Sequence, residues 1–357
     1  MKKTLVAIAA LASVSAFAQS SVSITGLIDT GYKTVNYGDT TADTKGLAAN
    51  NTATTVLTLA GTEDIGGGLK ANFQLQLTPD FINGNAVGGS GADNIGTGQQ
   101  AFVGLEGGLG TLKLGRVNTN ALDAWGVGSV FGTALGSGYS TNGNIFTRYS
   151  KTATAATQTA PTRFNGAIRY ESNTYNGFSA SALFVPRSTA DNAQDVTDIG
   201  LKYSNGPLNV AYATQKISQT GTLATAANSF IATGSQALAA GKSNKLSILS
   251  ANYTVGAATF YAATFTEKQD TATEINTAGN VFGAKYVMGA TTLLASMGSS
   301  NEKSTANVDK KIAGIGADYA LSKRTNAYVR YENKDGDKNS AANDKVTTTA
   351  FGIKHTF

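Results

Sequence analysis

The stretch Lys345-Val-Thr-Thr-Thr-Ala-Phe-Gly-Ile-Lys-His-Thr-Phe357 organises the reading of the chain. Counted back from Phe357, every second residue is aromatic or large: Phe357, His355, Ile353, Phe351. Thr356, Lys354 and Gly352 lie between them. A period of two places the two sets on opposite faces of a strand. Such a strand fits the half-buried edge of a soluble sandwich as well as a wall facing lipid, so the rest of the chain decides.

At the other end, Met1-Lys-Lys-Thr4 precedes the apolar run Leu5–Ala12, and Ala16-Phe17-Ala18 follows. A basic start, a short apolar stretch and a small-x-small exit predict a secretory signal peptide over residues 1–18, with the remaining domain over 19–357. The run is too short for a membrane-spanning helix, which needs about 20 residues. Loss of Lys2 and Lys3 lowers the formal charge from +5 to +3, which gives no argument for a nucleic-acid partner. With no cysteine, disulfides hold nothing together. There is no linker, shift in composition or useful amphipathic helical stretch, so one all-β body is expected.

Alternation recurs throughout. The first strand, Ser21 to Tyr37, sets Val22, Ile24 and Ile28 against Ser23, Thr25, Asp29 and Lys33. After a polar segment (Gly38 to Thr52), a second strand covers Thr54 to Thr62, and Glu63–Gly68 reads as a tight turn. In Leu69–Leu77 the positions Leu69, Ala71, Phe73, Leu75 and Leu77 alternate with Lys70, Asn72, Gln74 and Gln76. Paired segments follow: 99–106 with 110–116, 162–171 with 178–185, 196–204 with 208–217, 244–255 with 257–267, 280–288 with 291–299, and 311–320 with 325–334. Short turns join the members of each pair, and long connections rich in Ser, Thr, Asn, Ala and Gly separate the pairs. With the closing strand the count is about sixteen.

In a bilayer every backbone N–H and C=O needs a partner, so a spanning sheet must close on itself. An even strand number with short turns at one end and long loops at the other is the outer-membrane arrangement. Tyr170, Tyr203, Tyr212, Tyr253, Tyr286, Tyr319 and Tyr331, near strand ends, suit interfacial girdles. The inward positions carry Lys, Arg, Asn, Gln, Asp and Glu. A barrel polar inside and apolar outside is a channel. The expected fold is an all-β transmembrane antiparallel barrel of sixteen strands.

The chain resembles the Gram-negative general porins, specifically the trimeric sixteen-strand group of β-proteobacteria. The resemblance rests on Val22-Ser-Ile-Thr-Gly-Leu-Ile-Asp-Thr-Gly31, Gly61-Thr-Glu-Asp-Ile-Gly-Gly-Gly-Leu-Lys-Ala71, Gln100-Ala-Phe-Val-Gly-Leu105 and Gly110-Thr-Leu-Lys-Leu-Gly-Arg116, with Ile168–Ser172, Tyr319–Thr325 and the terminal heptad. It implies a homotrimer whose third loop folds into each barrel. That loop is expected over Val117 to Phe146, which holds the sole tryptophan, Trp125. It implies that Phe351, Ile353, His355 and Phe357 form the signal read by the barrel assembly machinery. It also implies a wall of arginines facing acids on the third loop, with Arg163 matching a wall arginine.

Selectivity in a pore comes from charges at the narrowest section. Alternation against Ile168 and Tyr170 turns Arg163, Arg169 and Glu171 inward, and the same test turns Lys70 and Lys113 inward. Arg116 and Arg148 flank the third loop, and Asp123 lies on it. Val56, Gln99 and Gln76 stand where relatives commonly carry charge, so a weak anion preference is expected. Catalysis is disfavoured: the single histidine, His355, falls on the lipid side, and no nucleophile elbow or metal cluster is present. No stretch points to an organic cofactor, and no oxygen-ligand spacing names a calcium site. The partners expected are outer-membrane lipid, ions and small hydrophilic solutes. A solute-specific channel and a surface adhesin stay open as alternatives.

Overall fold

The computed structural model describes residues 20–38, 42–82, 99–139, 145–146, 162–186, 194–219, 241–270, 274–303, 309–336 and 345–357. The expected signal peptide, Arg148 and most of the connection at 79–98 lie outside the described residues.

Among these residues the elements run β1 (Ser21–Asn36), β2 (Thr44–Ala49), β3 (Val56–Gly66), β4 (Leu69–Leu77), β5 (Ala101–Gly107), β6 (Gly110–Asn118), α1 (Asn120–Gly128), β7 (Arg163–Glu171), β8 (Phe178–Val185) and β9 (Gln194–Asn205). They continue with β10 (Leu208–Gln219), β11 (Ser243–Val255), β12 (Ala258–Gln269), β13 (Ile275–Met288), β14 (Thr291–Glu302), β15 (Asp309–Ala320), β16 (Thr325–Asp335) and β17 (Lys345–Thr356). Each strand pairs antiparallel with its neighbours, and β17 pairs with β1 from Leu27↔Thr356 to Asn36↔Thr347. On its other side β1 pairs with β3 through Leu27↔Val56 and with β2 from Thr30↔Ala49 onward. β2 and β3 therefore form one interrupted stave, and the closed sheet has sixteen. The polar segment expected to separate two strands thus contains β2. β3 also runs on to Gly66 with a register shift between Asp64 and Gly66, so the turn tightens to Gly67-Gly68.

The two faces differ as alternation predicts. Tyr212, Leu249, Phe260, Phe282, Tyr286, Ile315, Tyr319, Phe351 and Ile353 are exposed, while their chain neighbours Ala211, Ile248 and Ala350 are buried. His355 shares the outer face and contacts Thr325 Oγ1 at 2.9 Å. At the seam, Gly26 N donates to Phe357 O and Phe357 N donates to Gly26 O, each at 3.0 Å. The Phe357 ring lies over Gly26, where an added Cβ would stand 2.3 Å from the ring. Glycine is thus needed for the last aromatic to seat on the first strand.

Phe357→Ala should lower the yield of heat-modifiable folded barrel far more than Lys113→Ala, because it strips packing from the seam and leaves the other ladders intact. Equal yields on semi-native electrophoresis would contradict that role for the seam.

Candidate functional site

The inner face is built around a segment that leaves β6 and crosses to the far wall. Thr119 caps α1: its side chain accepts from Leu122 N at 3.0 Å. A loop is expected here from the sequence, and the helix is missed. The signal is present in Thr119 followed by Asp123 in the first turn, a favourable place for an acid at the positive end of a helix dipole. Asn120 N donates to Asp198 Oδ2 of β9 at 2.7 Å, and Asn120 Nδ2 donates to Asp198 O at 2.8 Å. Fully buried Asp198 therefore docks the start of the helix.

Behind this anchor Trp125 is wholly buried, with ring centroids 5.1 Å from Phe146, 5.6 Å from Tyr139 and 6.3 Å from Phe265 of β12. Phe146 stacks on Phe265 at 4.2 Å. Ala211, Ala213, Leu246, Ile248, Val281 and Ile312 complete the cluster from β10, β11, β13 and β15. The far end of the segment is held by Glu332 of β16, which accepts from Gly136 N at 2.5 Å, and by Lys310 of β15, which donates to Phe146 O at 2.8 Å. Arg330 sits 5.6 Å over the Phe131 ring and 2.7 Å from Asp318. Gly314 lets the segment approach: a Cβ there would stand 2.5 Å from Gly136 Cα. A segment this short touches β7, β9 and β16 together only by crossing the interior of the ring.

One charged cluster lies where α1 meets the wall. Arg169 of β7 is 2.5 Å from Asp123 and 2.8 Å from Glu171. Lys113 of β6 is 2.6 Å from Glu171, and Lys202 of β9 is 3.5 Å from Asp123. Arg169, Glu171, Lys113 and Asp123 are thus brought together as a single network. Asp123 is bonded to the same wall, however, and does not face an arginine column across a gap. The Asp198 anchor puts the first helical turn against β9, within reach of Arg169.

Alternation misplaces Arg163 at a bulge. Asn165 and Gly166 together oppose Arg116 alone, with Gly166 at φ 59°. The parity flips there, so buried Phe164, and not Arg163, shares the face of Ala167 and Arg169. Arg163 donates to Thr162 Oγ1, and Arg116 donates to Gln99 O at 2.9 Å and to Asn165 Oδ1 at 2.6 Å. Lys70 is exposed beside the Gly67-Gly68 turn, in register with Asp64 and Glu106, away from the network. Gln76 bonds Thr58 and Gln100.

Lys202, Asp198, Arg330, Asp318, Glu332 and Lys310 do not stand out in the sequence alone. Their parity is available there: Lys202 alternates with Leu201 and Tyr203, and Arg330 and Glu332 alternate with Val329 and Tyr331. The inner apolar patch under Trp125 is missed as well. An all-polar interior is expected from alternation, whereas Leu246, Ile248 and Phe265 face inward to receive the segment.

Residues 4–339 match the Gram-negative porin family. An outer membrane porin protein of Bordetella pertussis is 33% identical over 244 residues, covering 59% of this chain and 58% of the relative. Outer membrane porin protein 32 of Delftia acidovorans is 34% identical over 230 residues, again covering 59% of this chain and 58% of the relative. The chain thus aligns with little more than half the length of these relatives. Among solved structures, the anion-selective porin from Comamonas acidovorans superposes with a TM-score of 0.76 at 22% identity, covering 95% of this chain and all of that one.

Asp123→Ala leaves Arg169, whose side chain is 5% exposed, without its partner on α1. Arg169 keeps its pair with Glu171, so the loss is that of one charge-assisted hydrogen bond, about 2 kcal/mol, and a drop in thermal unfolding temperature with faster hydrogen exchange over 119–129 is expected. Lys113→Ala breaks a pair more open to water and should cost less than about 1 kcal/mol. Equal effects from the two variants would contradict the assignment of Arg169–Asp123 as the anchor.

Proposed function

The chain belongs to the Gram-negative porin family, and from that premise we propose that it forms a passive diffusion channel for ions and small hydrophilic solutes across the outer membrane. The observation that carries this reading is the division of polarity across one closed sheet. The outer face exposes Leu249, Phe260, Phe282 and Ile315, whereas the inner face bears Lys113, Arg169, Glu171, Lys202 and Arg330. Lipid satisfies the first and water the second.

The segment described at 119–139 and 145–146 narrows the lumen, and the charges beside it filter by sign. Lys113, Arg169, Glu171 and Asp123 line the passage on the α1 side, with Lys202 added to them, and Arg116 and Arg163 stand toward the rim. Most of the cations are paired at contact distance, which leaves a small surplus. Lys202 is the most open of the network, its side chain 42% exposed. The preference is therefore for anions and is weak. The functional unit is a homotrimer in outer-membrane lipid, assembled from the periplasm by machinery that reads Phe351, Ile353, His355 and Phe357. Residues 1–18 act as the export signal. The family and its solved relatives are channels, and diffusion needs no catalytic group or cofactor.

In planar bilayers the purified protein should give ohmic steps grouped in threes, with a reversal potential of anion sign in a KCl gradient. Lys202→Glu should move that potential toward cations without changing the step grouping. Clear cation selectivity of the unaltered protein would overturn the selectivity proposed, and the absence of steps would overturn the channel itself.

A further inference from the structure

Asparagine precedes glycine at 83–84, 142–143, 165–166, 176–177 and 205–206. In such a pair the following backbone nitrogen lies within reach of the asparagine Cγ, and glycine has no Cβ to hold the two apart. The first two pairs lie outside the described residues. The last two occupy the short turns after β7 and β9. Asn165-Gly166 alone of the described pairs falls inside a strand, β7.

Its surroundings differ as well. Asn165 and Gly166 together oppose Arg116, so the ladder is broken there and the extra residue has no partner across the strand. Gly166 is left-handed at φ 59°, and a Cβ built on it would meet nothing within 4 Å. Both residues are exposed. The side chain of Asn165 and the nitrogen of Gly166 therefore have room to turn toward each other, with water at hand.

A cation also holds the amide. Arg116 Nη1 donates to Asn165 Oδ1 at 2.6 Å, while its Nε donates to Gln99 O at 2.9 Å. The guanidinium is thus fixed at one end by the chain before β5 and set against the amide oxygen at the other. Such a bond is charge-assisted. It draws electrons from Cγ and stabilises the negative charge that develops on the oxygen when a nucleophile adds, as an oxyanion hole does. The other described pairs are arranged otherwise. Asn205 Nδ2 donates to the Tyr203 hydroxyl at 3.0 Å. At Gly177 a Cβ would stand 2.6 Å from Ser204 O, so β9 crowds that pair.

We propose that Asn165 is a site of self-modification, at which Arg116 promotes conversion of the side-chain amide to a carboxylate. Gly166 N gives its proton to hydroxide and bonds to Asn165 Cγ. The Cγ–Nδ2 bond then breaks, and the nitrogen takes a proton from water and leaves as ammonia. Water opens the resulting cyclic imide at one carbonyl to give aspartate, or at the other to give isoaspartate. One amide and one water are consumed, and one carboxylate and one ammonium are formed. The carboxylate remains beside Arg116, so an arginine toward the rim becomes half of an ion pair. Isoaspartate lengthens the backbone by one atom, at a bulge where the ladder is already interrupted.

The test holds the folded protein in detergent at mildly alkaline pH and follows amide loss at Asn165, Asn176 and Asn205 over days, by peptide mass spectrometry. Asn165 should convert several-fold faster than Asn176 and Asn205. In urea-denatured protein the rates should be alike, because each asparagine is followed by glycine. Arg116→Gln should slow Asn165 about ten-fold, less than the hundred-fold or more lost with a buried oxyanion donor because this one is open to water. The rates at Asn176 and Asn205 should not change in that variant, which reports that its barrel is folded. Arg116→Lys keeps the charge and should keep most of the rate. An Asn165 no faster than Asn176 and Asn205 in the folded protein overturns the site. A fast Asn165 whose rate survives Arg116→Gln removes Arg116 from the reaction and overturns the proposal. Where Arg116→Gln does not fold, the unaltered protein decides: a ratio of Asn165 to Asn205 rates that is the same folded and denatured also overturns it.

Discussion

No backbone amide or carbonyl can be left without a partner in hydrocarbon, and this requirement governs the whole molecule. It forbids an edge, so the first and last strands must meet, and the quality of that seam decides whether the other ladders are useful. Here β1 does more than pair with β17. Asp29, fully buried on β1, accepts from Thr52 N, Thr52 Oγ1, Ala53 N and the Tyr328 hydroxyl. One carboxylate thus ties the first strand to the break between β2 and β3 and to β16 next to the seam. The hydrogen bonds are charge-assisted and sheltered from water, where such bonds are strongest. The interruption of the second stave costs ladder bonds, and Asp29 supplies replacements for several of them.

Closure creates an inside, and the inside presents a second problem. A lumen lined only with charge and amide would give the segment after β6 no reason to lie down in it. The structure places apolar side chains where the segment passes, so that Trp125, Tyr139 and Phe146 bury against Ile248, Phe265 and Ile312. Burial of a large aromatic contributes on the order of 2 kcal/mol, and three of them outweigh single polar contacts. The hydrogen bonds at Asp198 and Glu332 then fix where along the wall the segment lies. Hydrophobic contact supplies most of the affinity, and the buried carboxylates supply the register.

Periodicity made the strands legible because a half-buried strand repeats every second residue, and sixteen repetitions of a weak signal add up. It located Arg169, Glu171 and Lys113 on the inner wall for the same reason. It failed at Arg163, since one extra residue at Asn165-Gly166 inverts every assignment beyond it and glycine alone does not announce a bulge. It passed over α1 because a helix of nine residues buried on one side of a lumen needs no long amphipathic pattern. It missed the inward apolar patch because Ile248 and Phe265 have the same parity as Lys202 and Glu332 on other strands, and only their contacts distinguish them. Alternation reports which face a residue occupies and says nothing of what later covers it.

The same limit applies to charge. A list of inward arginines and lysines suggests a strongly basic passage, yet Arg169 lies between Asp123 and Glu171, and Arg330 lies against Asp318 and the Phe131 ring. A cation and an anion at contact act at a distance as a dipole, whose potential falls off faster than that of a single charge and is screened within about 10 Å of saline. Arg169 and Arg330 therefore serve the wall more than the passing ion: their guanidinium groups hold the crossing segment in place from opposite sides. Within the network on the α1 side, Lys202 keeps the most open side chain. Strong selectivity needs charges left uncompensated at the constriction, and such charges repel one another and resist burial. Arg169, Lys202, Lys310 and Arg330 are committed to the crossing segment, and the weak preference proposed above is the consequence expected of that commitment.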